Sequence, residues 1–121
     1  VERLGGGELE SRVMDVLWDG PGWMTPGDVH EVIATERPTG YTTVLTVLVR
    51  LWQKGRLDRE REGRAYAYNP TVSREEHTAE RMQQLLVAAN NSSSALGHFV
   101  ETLRPQQLDQ LRRALKARKK Q

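Results

Sequence analysis

A chain of 121 residues is sized for one ordinary domain, or for a small domain with an appendage. Apolar residues make up 37% of it and aromatic residues 6%, which is little for a monomer that buries everything in one core. The absence of cysteine excludes disulfides, thiolate metal sites and thiol catalysis.

No apolar run approaches the roughly 18 residues of a membrane span, and no signal-peptide pattern opens the chain. A soluble cytoplasmic protein with no membrane insertion is therefore the expectation. The net charge of +2 hides an uneven distribution. Residues 1–49 carry three Arg against eight acidic residues, a local balance of −5. Residues 50–64 carry six basic and three acidic residues, a balance of +3, and residues 112–120 add six basic residues and no acid. The first basic block lies beside a helix-turn-helix signal, which favours nucleic acid over a merely solvated face.

Gly5, Gly6 and Gly7 read as a flexible lead-in. Glu8 to Trp18 then gives an amphipathic helix with Leu9, Val13, Met14, Val16, Leu17 and Trp18 on one broad face. Asp19-Gly20-Pro21-Gly22 ends it, and Trp23-Met24 suggests a single bridge of strand. Thr25 as N-cap and Pro26 at the first helical position open a second helix, with Asp28 in its first turn. Val29, Val32 and Ile33 are expected on its buried side, and its end is expected near Glu36, before Arg37-Pro38-Thr39-Gly40.

The third helix is predicted from Tyr41 to Lys54. Val44, Leu45, Leu48, Leu51 and Trp52 form its packed face; Thr43, Thr46 or Val47, and Arg50 fall on another. Three Thr and three Val each cost this helix ~0.5 kcal/mol against Ala, so tertiary packing must hold it. Gly55 gives the C-terminal signal. Residues 56–61 and 65–70 then read as two strands around a turn at Glu62-Gly63, which makes a basic wing. The expected fold class is therefore mainly α with a small β-hairpin: a winged helix-turn-helix over residues 5–70, followed by helices over residues 71–121.

In that second region Ser73-Arg74-Glu75-Glu76 has the form of a capping box. It opens a helix with Met82, Leu85, Leu86 and Ala89. Residues 90–94, Asn-Asn-Ser-Ser-Ser, read as a polar interruption. Leu96, Phe99, Val100 and Leu103 mark a further helix, and Pro105 opens another with Leu108, Leu111 and Leu115. These stripes need a surface to bury against. An identical partner is the expected one, which makes Leu85, Leu96, Phe99, Val100, Leu103, Leu108, Leu111 and Leu115 the candidate dimerisation residues. The alternative is packing back on the first domain.

A helix presented to the major groove places base-reading side chains near its N-terminus, here Thr42, Thr43 and Thr46. Arg50, Lys54, Arg59, Arg61 and Arg64 are the candidates for DNA backbone or minor-groove contact. Tyr66 and Tyr68 either pack the wing on the helices or reach the nucleic acid. His30, His77 and His98 lie far apart with no metal-ligand spacing, and no nucleotide-binding glycine motif is present. No enzyme activity, cofactor or metal is expected.

Three segments resemble the penicillinase and methicillin-resistance repressors, whose wider family includes copper-responsive repressors. They are LGGGELESRVMDVLW over Leu4–Trp18, TTVLTVLVRLWQKG over Thr42–Gly55, and GRAYAYNP over Gly63–Pro70. The resemblance implies a homodimeric repressor of β-lactam resistance genes on a dyad-symmetric operator. It further implies a membrane sensor metalloprotease as partner, with release by cleavage in the C-terminal region. Thr43 and Thr46 fall on that family's base-reading threonines, and Arg50 on the Arg of its RLxxKG motif. Thr42 and Leu45 stand where the staphylococcal repressors have Lys and Gln. The family's cleaved Asn-Phe bond corresponds to His98–Phe99, with His in place of Asn. The Cys-x-Cys pair of the copper branch is missing. Two other readings stand beside this one: a winged-helix protein-interaction module, and a small-ligand-sensing winged-helix regulator.

Overall fold

The computed structural model describes residues 6–119. In chain order these form α1 (Gly6–Asp19), α2 (Pro26–Glu36), α3 (Tyr41–Gln53), β1 (Leu57–Glu62), β2 (Ala65–Pro70), α4 (Arg74–Ala88), α5 (Ser92–Thr102) and α6 (Pro105–Lys119). The mainly helical fold with a small antiparallel hairpin is thus the winged helix-turn-helix plus C-terminal helices that the sequence indicates. Among the described residues no helix is long and apolar enough to cross a membrane. The chain divides into two compact units, Val1–His77 and Thr78–Gln121.

The first unit is built on three helices and the hairpin. Leu9, Val13, Met14, Val16 and Leu17 of α1 meet Val29 and Ile33 of α2 and Val44, Val47, Leu48 and Leu51 of α3. Leu57 and Tyr68 close this core from the wing. α1 begins at Gly6, so Gly6 and Gly7 are helical rather than a lead-in; Gly5 lies outside the described residues. Packing of the Leu9 and Val13 face outweighs the poor helix propensity of glycine here.

α2 starts on a full capping box. The Thr25 hydroxyl accepts from the Asp28 N–H at 3.2 Å, and the Asp28 carboxylate accepts from the Thr25 N–H at 3.0 Å. Val32 does not join the buried side with Val29 and Ile33; it is exposed. α3 ends in a Schellman motif, with Arg56 N–H donating to Leu51 O and Gly55 N–H to Trp52 O, both at 3.0 Å. Gly55 takes φ +79°, a conformation other residues adopt only with strain.

β1 and β2 pair antiparallel from Leu57↔Pro70 to Glu62↔Ala65. The turn therefore falls on Gly63-Arg64, one residue later than expected. Gly63 sits at φ +63° and no non-glycine residue has positive φ among those described, which is the type II′ pattern that suits the strands' twist. Met24 adds a single bridge to the sheet: its N–H donates to Tyr68 O at 3.0 Å and its carbonyl accepts from Tyr68 N–H at 2.8 Å.

In the C-terminal helices the predicted starts are present. Ser73 and Glu76 cap α4 reciprocally, and the Gln107 side chain accepts from the Arg104 N–H ahead of α6. α5 begins earlier than expected. Asn91 caps it through the Ser94 N–H at 3.0 Å, so Ser92 and Ser93 form its first turn instead of an interruption. None of these three helices contains a buried residue. Met82, Leu85, Val87, Leu96, Phe99, Val100 and Leu115 are exposed, while Leu86, Leu103, Leu108 and Leu111 are half-buried.

Candidate nucleic-acid interface

α3 resolves the ambiguity between Thr46 and Val47. Val47 is buried with Val44, Leu48 and Leu51, and Thr46 faces solvent. Thr42, Thr43, Thr46 and Arg50 are all exposed, so the opposite side of the helix from the core is a surface of short hydroxyl side chains ending in a guanidinium. The Thr46 hydroxyl donates to the Thr42 carbonyl at 2.9 Å. Its one hydrogen is thereby used within the helix, and what remains for a ligand is the methyl and the oxygen lone pairs.

The start of α3 is held in place from α2. His30 Nε2 lies 2.8 Å from the Thr39 carbonyl, and its ring meets Tyr41 edge-on at 5.9 Å. Gly40 stands at the N-cap and offers no side-chain cap. The first-turn N–H groups thus have no capping side chain, which leaves the positive end of the helix dipole available to an anion. At the other end Trp52, expected in the packed face, is 36% exposed, and Leu45 is half-buried.

The wing separates its charges by face. Directly opposed residues of an antiparallel pair share a face, so Arg59 and Arg61 lie with Tyr68 and Tyr66, while Asp58, Glu60 and Glu62 lie on the other. Tyr68 is buried at 1% exposure, which assigns it to packing. Tyr66 is half-buried. The guanidinium of Arg59 stands 3.4 Å from the ring centre of Trp52 and 4.0 Å from that of Tyr66. Arg61 stands 5.4 Å from Tyr66. Arg64, at the second turn position, is exposed at the tip.

Lys54 is engaged elsewhere. Its ammonium donates to both carboxylate oxygens of Glu10, at 3.0 and 3.2 Å, and so ties the end of α3 to α1. Further ion pairs of Arg12 and Arg74 brace the scaffold. Arg12 forks onto Glu36 with Nε donating at 2.6 Å, joining α1 to the end of α2. That hydrogen bond raises the Arg12 pKa and lowers that of Glu36. Arg74 donates to Asp19 at 2.9 Å and lies 3.5 Å from Asp15, and the Asp19 hydrogen bond raises the Arg74 pKa.

Nothing in the sequence marks Trp52 or Tyr66 as a partner of Arg59. Hydropathy places Trp52 in the core, and no spacing rule reports a contact made across the α3–β1 turn. No group of three or more His, Asp or Glu side chains capable of holding a metal occurs among the described residues.

The family model for the penicillinase repressor matches residues 6–117. The chain is 43% identical over 112 residues to the transcriptional regulator BlaI of Mycobacterium tuberculosis (strain CDC 1551 / Oshkosh), covering 90% of this chain and 81% of that protein. The BlaI regulator of strain ATCC 25618 / H37Rv gives the same values. Among solved structures, the DNA-binding domain of the repressor BlaI superposes with a TM-score of 0.51 at 28% identity, over 56% of this chain and 82% of that one. With nearly its whole length matched, this chain belongs to the penicillinase repressor family, a family of transcriptional regulators.

Proposed function

We propose that this protein is a homodimeric repressor that binds a dyad-symmetric operator, with residues 5–70 contacting DNA and residues 71–121 joining the subunits. The observation that carries this reading is the exposed row of Thr42, Thr43, Thr46 and Arg50 beside the wing arginines Arg59, Arg61 and Arg64. A helix in the major groove reads base edges through its first turns, and the threonines stand there. Arg50 and the wing arginines supply the phosphate contacts that fix register and give salt-dependent affinity. Lys54 contributes positive field while it holds Glu10.

The dimer reading rests on the apolar side chains left without cover in α4–α6, including Leu85, Leu96, Phe99, Val100 and Leu115, with Leu103, Leu108 and Leu111 only half-buried. A protein that leaves this many apolar helix residues uncovered in one chain gains by pairing them with a second copy. By family likeness, the controlled genes serve β-lactam resistance and the repressor works in the cytoplasm. A membrane sensor metalloprotease is its inducing partner. Cleavage at His98–Phe99 is the release step, and both residues are exposed on α5.

Footprinting of the intact chain on duplexes that it selects from a random pool tests the reading. Protection of two equal half-sites related by a dyad is expected. Protection of one half-site only rejects the dimeric arrangement, and no protection at all rejects operator binding and favours the protein-interaction module.

A further inference from the structure

The Arg59 guanidinium carbon lies over two aromatic rings, 3.4 Å from the centre of the Trp52 ring of α3 and 4.0 Å from that of Tyr66 of β2. A cation–π contact made this way spends none of the guanidinium N–H donors on a hydrogen bond. No ion pair of Arg59 occurs among the described residues, whereas Arg12, Lys54 and Arg74 each hold a carboxylate. The result is a cation with its orientation fixed and its hydrogen-bonding edge uncommitted. It sits where the end of the recognition helix meets the wing.

We propose that Trp52 and Tyr66 are positioning residues for DNA binding, which hold Arg59 as a preformed fork for one backbone phosphate in each half-site. The inference deepens the operator-binding reading and rests on it. A free arginine on a surface loses rotamer freedom when it docks on a phosphate. Immobilising one such side chain costs about 2- to 13-fold in affinity. The two rings remove that cost before DNA arrives. The stack also ties β1 and β2 to α3, so the phosphate-binding edge keeps a constant offset from Thr46 and Arg50. Trp52 and Tyr66 do not touch the DNA in this account; they act through Arg59.

The test is a salt-dependent binding series on the duplex selected by the wild-type chain, using the full chain. Arg59→Gln should lower the slope of log affinity against log salt by about 0.9 per half-site, because one phosphate contact is lost. Trp52→Leu keeps every charge, so its slope should stay at the wild-type value while affinity falls by about 2- to 13-fold per half-site. In the Arg59→Gln background Trp52→Leu should change affinity no further. Trp52→Tyr, which still presents a ring, should restore wild-type binding. Arg59→Lys should keep the slope and lose affinity, since an ammonium has no planar face to stack.

Tyr66→Leu provides the same comparison from the other ring if Trp52→Leu is poorly folded by circular dichroism. An unchanged slope for Arg59→Gln overturns the proposal, because Arg59 then meets no phosphate. Additive losses for Trp52→Leu and Arg59→Gln overturn it as well, because the ring then acts independently of the cation. Failure of the underlying reading has a different signature: the wild-type chain itself selects no duplex.

Discussion

Replacing Thr46 by Val and by Ser separates the two halves of its side chain. The Thr46 hydroxyl already donates to the Thr42 carbonyl at 2.9 Å, so its hydrogen is not free to bond a base. The methyl and the oxygen lone pairs are what remain, and in the proposed reading the methyl packs on a thymine methyl, which is worth about 0.8 kcal/mol. That is about fourfold in affinity for one half-site, and about 15-fold for a dyad bound by two subunits. Thr46→Ser removes the methyl and keeps the hydroxyl, so it should lose that factor. Thr46→Val keeps a methyl and should bind within about twofold of wild type. Fold stability should move by no more than about 0.5 kcal/mol in either variant, since the position is exposed and Thr and Val have similar helix propensity. Fluorescence anisotropy on the selected operator, with single thymines replaced in turn by deoxyuridine, reads the effect directly. Wild type and Thr46→Val should both lose about fourfold when the matching thymine methyl is removed, and Thr46→Ser should be indifferent to it. If Thr46→Val binds worse than Thr46→Ser, the hydroxyl is the reader and the reasoning from the Thr42 bond is wrong.

Leu48 is fully buried in the α3 face that packs the core, so Leu48→Ala should cost about 2–5 kcal/mol of unfolding free energy in denaturant titrations; a loss under about 1 kcal/mol would contradict the assigned packing. Glu36 has its pKa lowered by the Arg12 hydrogen bond, so the folded state binds fewer protons there than the unfolded chain. Its stabilisation is therefore full at neutral pH and is lost as pH falls through the usual carboxylate range towards the lowered folded value. The gap in melting temperature between wild type and Glu36→Gln should close on acidification; a gap that stays constant with pH would remove the ion pair from the account. A fragment of residues 1–98 lacks Phe99, Val100, Leu103, Leu108, Leu111 and Leu115. It should sediment as a monomer and lose the dyad operator at concentrations where the intact chain, at twice 13.8 kDa, holds it. Equal operator affinity for both would exclude cleavage at His98–Phe99 as a switch.

The elements that were legible in the sequence are those whose ends are fixed by local chemistry. Thr25 with Asp28, Ser73 with Glu76, Pro105, and Gly55 after Lys54 each place a helix end through contacts within a few residues. The alternation of Arg59, Glu60 and Arg61 along one strand is enough to put the two Arg on one face and Glu60 on the other, which is the separation in the register. What was not legible depends on distant neighbours. Gly6 and Gly7 are helical because Leu9 and Val13 are packed, which no propensity reports. Asn91 and Ser92 look like linker residues until Asn91 is seen to cap α5. Val32 has the spacing of a buried residue but meets no partner that buries it. Trp52 is the instructive case for the site. Its hydropathy pointed inward, yet its ring is more useful against a cation from the wing than inside the core.

The distribution of apolar residues between the two units has a functional logic. The first unit completes its core internally, from Leu9 to Tyr68, and the Thr42, Thr43 and Thr46 side of α3 stays polar and exposed. The C-terminal helices bury nothing fully, so their apolar residues are available for association instead of for a core. In the proposed reading, a dimeric repressor made this way would divide its affinity between two separable terms. Each reading head would contribute a modest, salt-sensitive interaction through the threonines, Arg50 and the wing. A subunit interface on the C-terminal helices would then make the second half-site contact intramolecular, which multiplies affinity without any new DNA contact. On that proposal, loss of the helices from Phe99 onward would remove the second term and leave the first, so operator occupancy would fall steeply while the DNA-binding unit stays folded.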